Sequence, residues 1–177
     1  MTTDIFKPFK IGKETFHPQS FNENSFVMNY KLEPGGMVPT HAHIHMDEYF
    51  DVVKGEMKFK VNGKTIIKKP GENIMVPKGI KHSIANAGKE QVEMIVKYMP
   101  CSDTHRFFEI VSTLDNIKPA TMKTLMQALY IADKLKLKQF SHPQPMIANN
   151  IIMFILKVAG KLAGWDKLVN KFNGQTN

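Results

Sequence analysis

The decapeptide HAHIHMDEYF, residues 41–50, sets His41, His43 and His45 at alternate positions and follows them with Glu48. Imidazole nitrogens and carboxylate oxygens are ligand atoms that first-row transition ions accept, so this density of them points first to metal coordination. Side chains alternate faces along a strand, so His41 and His43, with His45 as a further candidate, project to one side roughly 6.6 Å apart at Cα. Two such imidazoles can grip one ion. Glu48 lies five residues after His43, an odd step that points it to the opposite face of a straight strand. A turn or bulge around Met46 and Asp47 is therefore expected, returning the carboxylate to the imidazoles. A fourth group is His82 in GENIMVPKGIKHSIAN, residues 71–86, where it follows a proline and glycine turn. Three imidazoles and a carboxylate suit one divalent transition metal (Fe, Mn, Ni, Zn, Co or Cu) better than calcium. Around an octahedral ion they leave two positions open, the condition for catalysis rather than a purely structural role.

The elements that must position these groups follow from the punctuation of the chain. From about Asn24 to Met99, β-branched and aromatic runs such as MKFKVNG, KTIIKK and VEMIVKYM alternate with Gly, Pro and Asn, the rhythm of an all-β sandwich or barrel. Asn62-Gly63, between two such runs, predicts a tight antiparallel hairpin. Beyond Pro100 the period becomes helical. Phe107, Phe108, Ile110, Val111 and Leu114 fit a short helix or strand. Pro119 suits a first helical turn, and Met122, Leu125, Met126 and Leu129 continue at helical spacing. The stretch from Ser141 through His142, Pro143 and Gln144 to Pro145 must interrupt that helix, because two prolines within three residues do not fit inside one. A second helix is expected from about Met146 to Phe172.

The spacings also resemble those of the cupins. Gly35, His41, His43, Glu48 and Gly55 match the first cupin motif at every defined position, and Gly71, Pro77, Gly79, His82 and Asn86 match the second. Over residues 30–99 the resemblance implies a mainly β fold, a cupin double-stranded β-helix (jelly-roll) barrel, and the helical periods beyond Pro100 add two or three C-terminal α-helices. Residues 1–100 are then the barrel domain, with a motif core at 30–99, and 101–177 a helical extension packing on the barrel or on a second protomer. The resemblance also implies that His41, His43, Glu48 and His82 are the metal ligands, and that the glycines and Pro77 shape turns.

Other residues carry two readings each. His45 is either a solvent-facing residue or a substrate contact. Tyr49, Phe50, Phe59 and Met75 either line a substrate pocket or fill the core. His105 and Arg106 either meet an anionic substrate or sit in an exposed turn. In the last helix Ile147, Ile151, Phe154, Ile155, Val158, Leu162 and Trp165 form an apolar stripe that must be covered. Packing on the barrel, the preceding helix or a second protomer would cover it, with Gly160 and Gly164 permitting close approach. Membrane-surface contact by this basic helix is the alternative.

Composition limits the function classes. The chain has 177 residues, 42% hydrophobic and 23% charged, enough to bury the core of one domain with an appendage. The net charge of +8 is unevenly placed: residues 118–177 hold nine lysines and two aspartates, whereas residues 1–117 hold fifteen basic and fourteen acidic groups. Those lysines lie among aliphatic residues without an arginine-rich or base-stacking pattern, so no nucleic-acid partner is expected. One cysteine, Cys101, and the lack of a signal-like start fit a cytoplasmic protein. Open barrel edges and the apolar stripe fit a homodimer. The functional expectation is a metal-binding cupin acting on a small molecule as a dioxygenase-like oxidoreductase. The alternatives are a non-redox metal-dependent isomerase and a non-catalytic ligand-binding or regulatory cupin.

Overall fold

The computed structural model describes residues 6–115, 121–138, 142–143 and 145–172. The expectations placed on Pro119, Ser141 and Gln144 lie outside these residues. Ten strands come first: β1 (Phe9–Ile11), β2 (Glu14–Asn22), β3 (Ser25–Leu32), β4 (Met37–Ala42), β5 (Asp47–Lys54), β6 (Met57–Val61), β7 (Lys64–Lys68), β8 (Asn73–Val76), β9 (His82–Ala85) and β10 (Val92–Met99). Then follow α1 (Thr104–Asp115), α2 (Met122–Lys134), the two-residue β11 (His142–Pro143), α3 (Met146–Leu162) and the one-turn α4 (Asp166–Val169).

Two sheets face each other, one ordered β1-β2-β3-β10-β5-β8 and the other β11-β4-β9-β6-β7. Alternation sets their inner faces: Phe26, Met28, Tyr30 and Leu32 of β3 are buried, as are Val92, Met94, Val96 and Tyr98 of β10. Phe50 of one sheet meets Phe59 of the other edge to face at 5.1 Å, closing the core between them. The predicted hairpin joins β6 to β7, with Val61 opposite Lys64 and both Asn62 and Gly63 at positive φ (46° and 84°). Two strands that the sequence reading did not resolve, β1 and β2, extend the first sheet through the Phe9–Phe16 pair, whose rings stack at 4.8 Å.

The helical residues lie against this barrel. The ambiguous run at 107–114 is helix α1, and its Phe108 packs 5.4 Å from Phe16, 5.7 Å from Phe26 and 6.2 Å from Tyr98, ring centre to ring centre. The helix therefore seals the barrel with an aromatic cluster instead of hovering over it. Arg106 is buried in this seam and does not sit in an exposed turn: one guanidinium nitrogen donates to Glu109 at 2.8 Å and another to the Phe172 carbonyl at 3.0 Å. His105 stacks on Phe21 at 4.5 Å.

The single last helix expected from Met146 to Phe172 is divided. Gly164, at φ +71°, takes the left-handed conformation that ends a helix, and a separate turn, α4, begins two residues later. The apolar stripe also lies on a different side from the one that is covered. Asn149, Leu156 and Gly160 of α3 are buried, while Ile147, Ile151, Phe154, Ile155, Val158 and Leu162 are exposed. Gly160 does permit the expected close approach: a Cβ there would stand 2.4 Å from the Tyr130 ring of α2. Tyr130 cannot swing aside, because its hydroxyl donates to Asp166 at 2.7 Å and its ring meets Trp165 at 5.8 Å. Gly160→Ala should therefore destabilise the protein by about 1–3 kcal/mol through overpacking, read as a lowered Tm, whereas Ala159→Gly should show only the smaller loss of helix propensity.

Candidate metal centre

His41, the fifth residue of β4, stands directly opposite His82, the first of β9, and their rings lie 4.2 Å apart. His43 follows the end of β4, with its ring 4.9 Å from His41 and 5.4 Å from His82. Glu48 comes from the other sheet, where β5 pairs it with Val76 on one side and Tyr98 on the other. Residues 43–46 carry the chain across between the sheets. The odd step from His43 to Glu48 is thus absorbed by a crossing, and the two residues do not share a bulged strand. One potential ligand atom from each of His41, His43, Glu48 and His82 lies within 4.8 Å of all the others, and all four residues are buried.

Main-chain contacts hold that crossing in place. The Gly79 amide donates to the His43 carbonyl at 2.7 Å, and the Lys78 amide to the Asp47 carboxylate at 2.8 Å, so the turn after Pro77 clamps the ligand-bearing link. Asn86 works farther off. Its side-chain amide donates to the carbonyls of Leu32 and Glu90, each at 2.8 Å, and its oxygen accepts from the Gly88 amide at 2.9 Å.

Hydrogen bonds also decide which ring nitrogens face inward. His41 Nδ1 lies 2.8 Å from the Pro39 carbonyl and His82 Nδ1 lies 3.0 Å from the Ile80 carbonyl. A carbonyl only accepts, so each Nδ1 carries the proton and each neutral ring presents an Nε2 lone pair. Yet His82 Nε2 is 2.9 Å, and His43 Nε2 3.0 Å, from the same Glu48 oxygen. Lone pair faces lone pair across the His82 contact unless a proton or another cation stands there. The donor set therefore fits a metal ion: two imidazoles already in the tautomer of a ligand, and a buried carboxylate at the same point.

Electrostatics agree with this picture. Burial lowers the His41 pKa to about 4, and the neighbouring His82 adds to the effect, so this ring stays neutral as a ligand must. Burial alone would raise Glu48, but His43 and His82 outweigh it and hold the carboxyl below the ordinary range. Tyr98 was not singled out by its sequence, though a tyrosine on the buried face of VEMIVKYM has a polar tip that must find a partner. Its hydroxyl bonds to Glu48, and its ring meets His43 at 5.5 Å. Burial first, and then Glu48, push its pKa well up, keeping it a donor toward the carboxylate.

The other sequence candidates scatter. Phe50 and Phe59 are buried inside the barrel, with Phe50 6.4 Å from the His82 ring. Tyr49 and Met75 are cross-strand partners on the opposite, outer face, because Glu48 and Phe50 point inward on either side of Tyr49. His45 is exposed beyond the end of β4. His142, on β11, lies near enough to His45 and His43 for their charges to add to the burial that lowers its pKa, and β11 sets Pro143 opposite His41.

Protonating the neutral His41 in the folded state is unfavourable relative to the unfolded chain, whose imidazole titrates near 6.5. The stability of chelator-treated protein should consequently fall as pH drops from about 6.5 to about 4, by a loss on the order of 3 kcal/mol for this ring. Protonation of Glu48 should deepen the loss below its ordinary range. Thermal melts across that window check this, and a flat profile would contradict the assigned burial.

Comparison with known proteins agrees with the geometry. The family described as Cupin domain matches residues 28–98. The oxalate-binding protein of Thermotoga maritima is 32% identical over 85 residues, 48% of this chain and 67% of that protein. Mannose-1-phosphate guanylyltransferase of Salmonella montevideo is 28% identical over 92 residues, which are 52% of this chain but only 19% of the enzyme. The structure of KdgF from Halomonas sp. superposes with a TM-score of 0.53 at 16% identity, covering 56% of this chain and 90% of that one. With both motifs complete, the two-sheet barrel in place and the histidines and glutamate gathered between the sheets, the chain belongs to the cupin superfamily.

Proposed function

We propose that His41, His43, Glu48 and His82 hold one divalent transition metal, and that the protein is a small-molecule oxidoreductase of the dioxygenase type acting on a compact anionic oxygen chelator. The observation that carries this reading is the single Glu48 oxygen approached by two imidazole nitrogens at 2.9 and 3.0 Å, one of them fixed as a lone-pair donor. A bound redox-active ion would supply activation of oxygen or substrate at the positions these ligands leave open.

The chain supplies the rest. Neutral imidazoles and one carboxylate cancel only one charge of a divalent ion, so the remaining charge of about +1 favours an enolate or carboxylate partner. The Pro39 and Ile80 carbonyls fix ring orientation, and Tyr98 holds the carboxylate. Phe50 excludes water from the inner wall beside His82, and burial of all four donors restricts the site to small ligands. His45 is the side chain we assign to the incoming ligand at the exposed end. The oxalate-binding relative from Thermotoga maritima supports a small dicarboxylate in this role. It equally favours a second reading, in which the same site binds such a ligand without turnover.

Elemental analysis of protein purified without added metal tests the coordination. Near-stoichiometric metal is expected, sharply reduced in His43→Ala and His82→Ala while far-ultraviolet circular dichroism stays that of the folded barrel. Unchanged metal content in both variants would remove the proposed ligand set. Reloading with Fe, Mn or Ni should then give substrate-dependent oxygen uptake with one of a panel of dicarboxylates, phenols, diketones or thiols. Calorimetric oxalate binding without any oxygen uptake would favour the binding protein, and native zinc would favour Lewis-acid isomerisation.

A further inference from the structure

Helix α3 is apolar on two opposite sides. Its inner side, with Asn149, Leu156 and Gly160, is buried against the body of the protein. Residues turn by about 100° each around a helix, so Ile147, Ile151, Phe154, Ile155, Val158 and Leu162 share one arc facing away from that contact. They are among the most exposed large apolar residues in the structure, with Ile147 at 73%, Phe154 at 68% and Leu162 at 84%. A continuous apolar patch of this kind marks an interaction surface.

Charge decides what it fits. Lys157 and Lys161 stand on one flank of the arc, and the exposed Lys167 and Lys171 follow shortly after it. The sequence of α3, MIANNIIMFILKVAGKL, contains no acidic residue. The two aspartates of residues 118–177 are already engaged, Asp133 with Lys157 at 2.9 Å and Asp166 with Lys134 at 3.5 Å. That segment retains an excess of seven positive charges, nine lysines against two aspartates. A second copy laid helix to helix on this face would bring like charge to like and offer the flanking lysines no carboxylate. A bilayer bearing anionic headgroups meets both requirements, with phosphates for the ammonium groups and acyl chains for the stripe.

We propose that the outward face of α3 docks the protein on an anionic lipid surface, with Ile151, Phe154, Ile155 and Val158 entering the acyl boundary and Lys161, Lys167 and Lys171 lying among the headgroups. No helix among the described residues is long and apolar enough to cross a membrane, so α3 lies in the interface plane. The lysine stems then cover apolar surface while their ammonium groups stay with the phosphates. This docking is independent of the chemistry assigned to the metal centre.

The test is sedimentation of the full chain with vesicles of phosphatidylcholine, with and without phosphatidylglycerol, at low and at physiological salt. Pelleting should require phosphatidylglycerol, weaken with salt and weaken about fivefold for each of Lys161→Gln and Lys167→Gln. Phe154→Glu and Ile151→Glu, both at exposed positions, should each abolish it while leaving metal content and the thermal melt unchanged. Absence of pelleting at low salt would overturn the proposal, as would equal pelleting on neutral vesicles or pelleting unaffected by both stripe variants. Light scattering supplies the remaining outcome: a dimer that Phe154→Glu converts to monomer would assign this face to a second copy instead.

Discussion

A carboxylate buried among imidazoles is the constraint on which this structure depends. Removing Glu48 from water carries a penalty of several kcal/mol unless positive charge stands beside it. Among the described residues the groups beside it that can take up positive charge are imidazoles, and protonation of His41 is itself opposed by burial, as its depressed pKa shows. The Tyr98 hydroxyl relieves part of this tension as a donor to the carboxylate, whereas the Nδ1 protons of His41 and His82 are turned away to the Pro39 and Ile80 carbonyls. The cluster is thus arranged so that its members could share one cation, the proposed metal, and the surrounding fold keeps them from drifting apart. Cross-strand pairing locks His41 to His82, the Gly79 amide holds the His43 backbone, and Tyr98 fixes Glu48 from the neighbouring strand.

The scaffold achieves this through two sheets that each contribute part of the set. The imidazoles of His41 and His82 come from one, and the carboxylate comes from the other. A one-residue slip in register between β5 and β10 would move Glu48 to the outer face, since side-chain direction reverses at every residue. The aromatic pair Phe50 and Phe59 sets the spacing between the sheets, and Phe108 of α1 closes on Tyr98, the same residue that restrains the carboxylate. The helical residues are in this sense part of the wall behind the site.

Much of this was legible in the residues themselves. The histidine and glycine spacings carried the barrel and its four candidate ligands through their resemblance to the cupin motifs, and Asn62-Gly63 carried a hairpin because turn geometry is local. What was not legible depended on tertiary phase. Alternation shows that Glu48 and Phe50 share a face and Tyr49 takes the other, but not which face is inside. The odd spacing from His43 to Glu48 calls for a turn or a bulge without telling the two apart, and the structure resolves it as the crossing at 43–46. In α3 apolar residues occur on both sides, so periodicity could not tell which side was covered; the small residue Gly160, matched to the Tyr130 ring, settles it. Likewise β11, only two residues long and rich in proline context, gave no periodic signal at all.

That short strand has a consequence for how the molecule is made. In β11, between α2 and α3, the chain returns to pair with β4, placing Pro143 opposite His41. During synthesis the ten barrel strands precede it, so β4 emerges with an unpaired edge beside the future metal site. An open edge is a template for strands of other molecules until it is covered. A proline in the covering strand also leaves one amide fewer to offer at the new edge. The returning segment thus acts as a late cover for one end of that strand, whose edge at His41 and Ala42 stays open until it arrives.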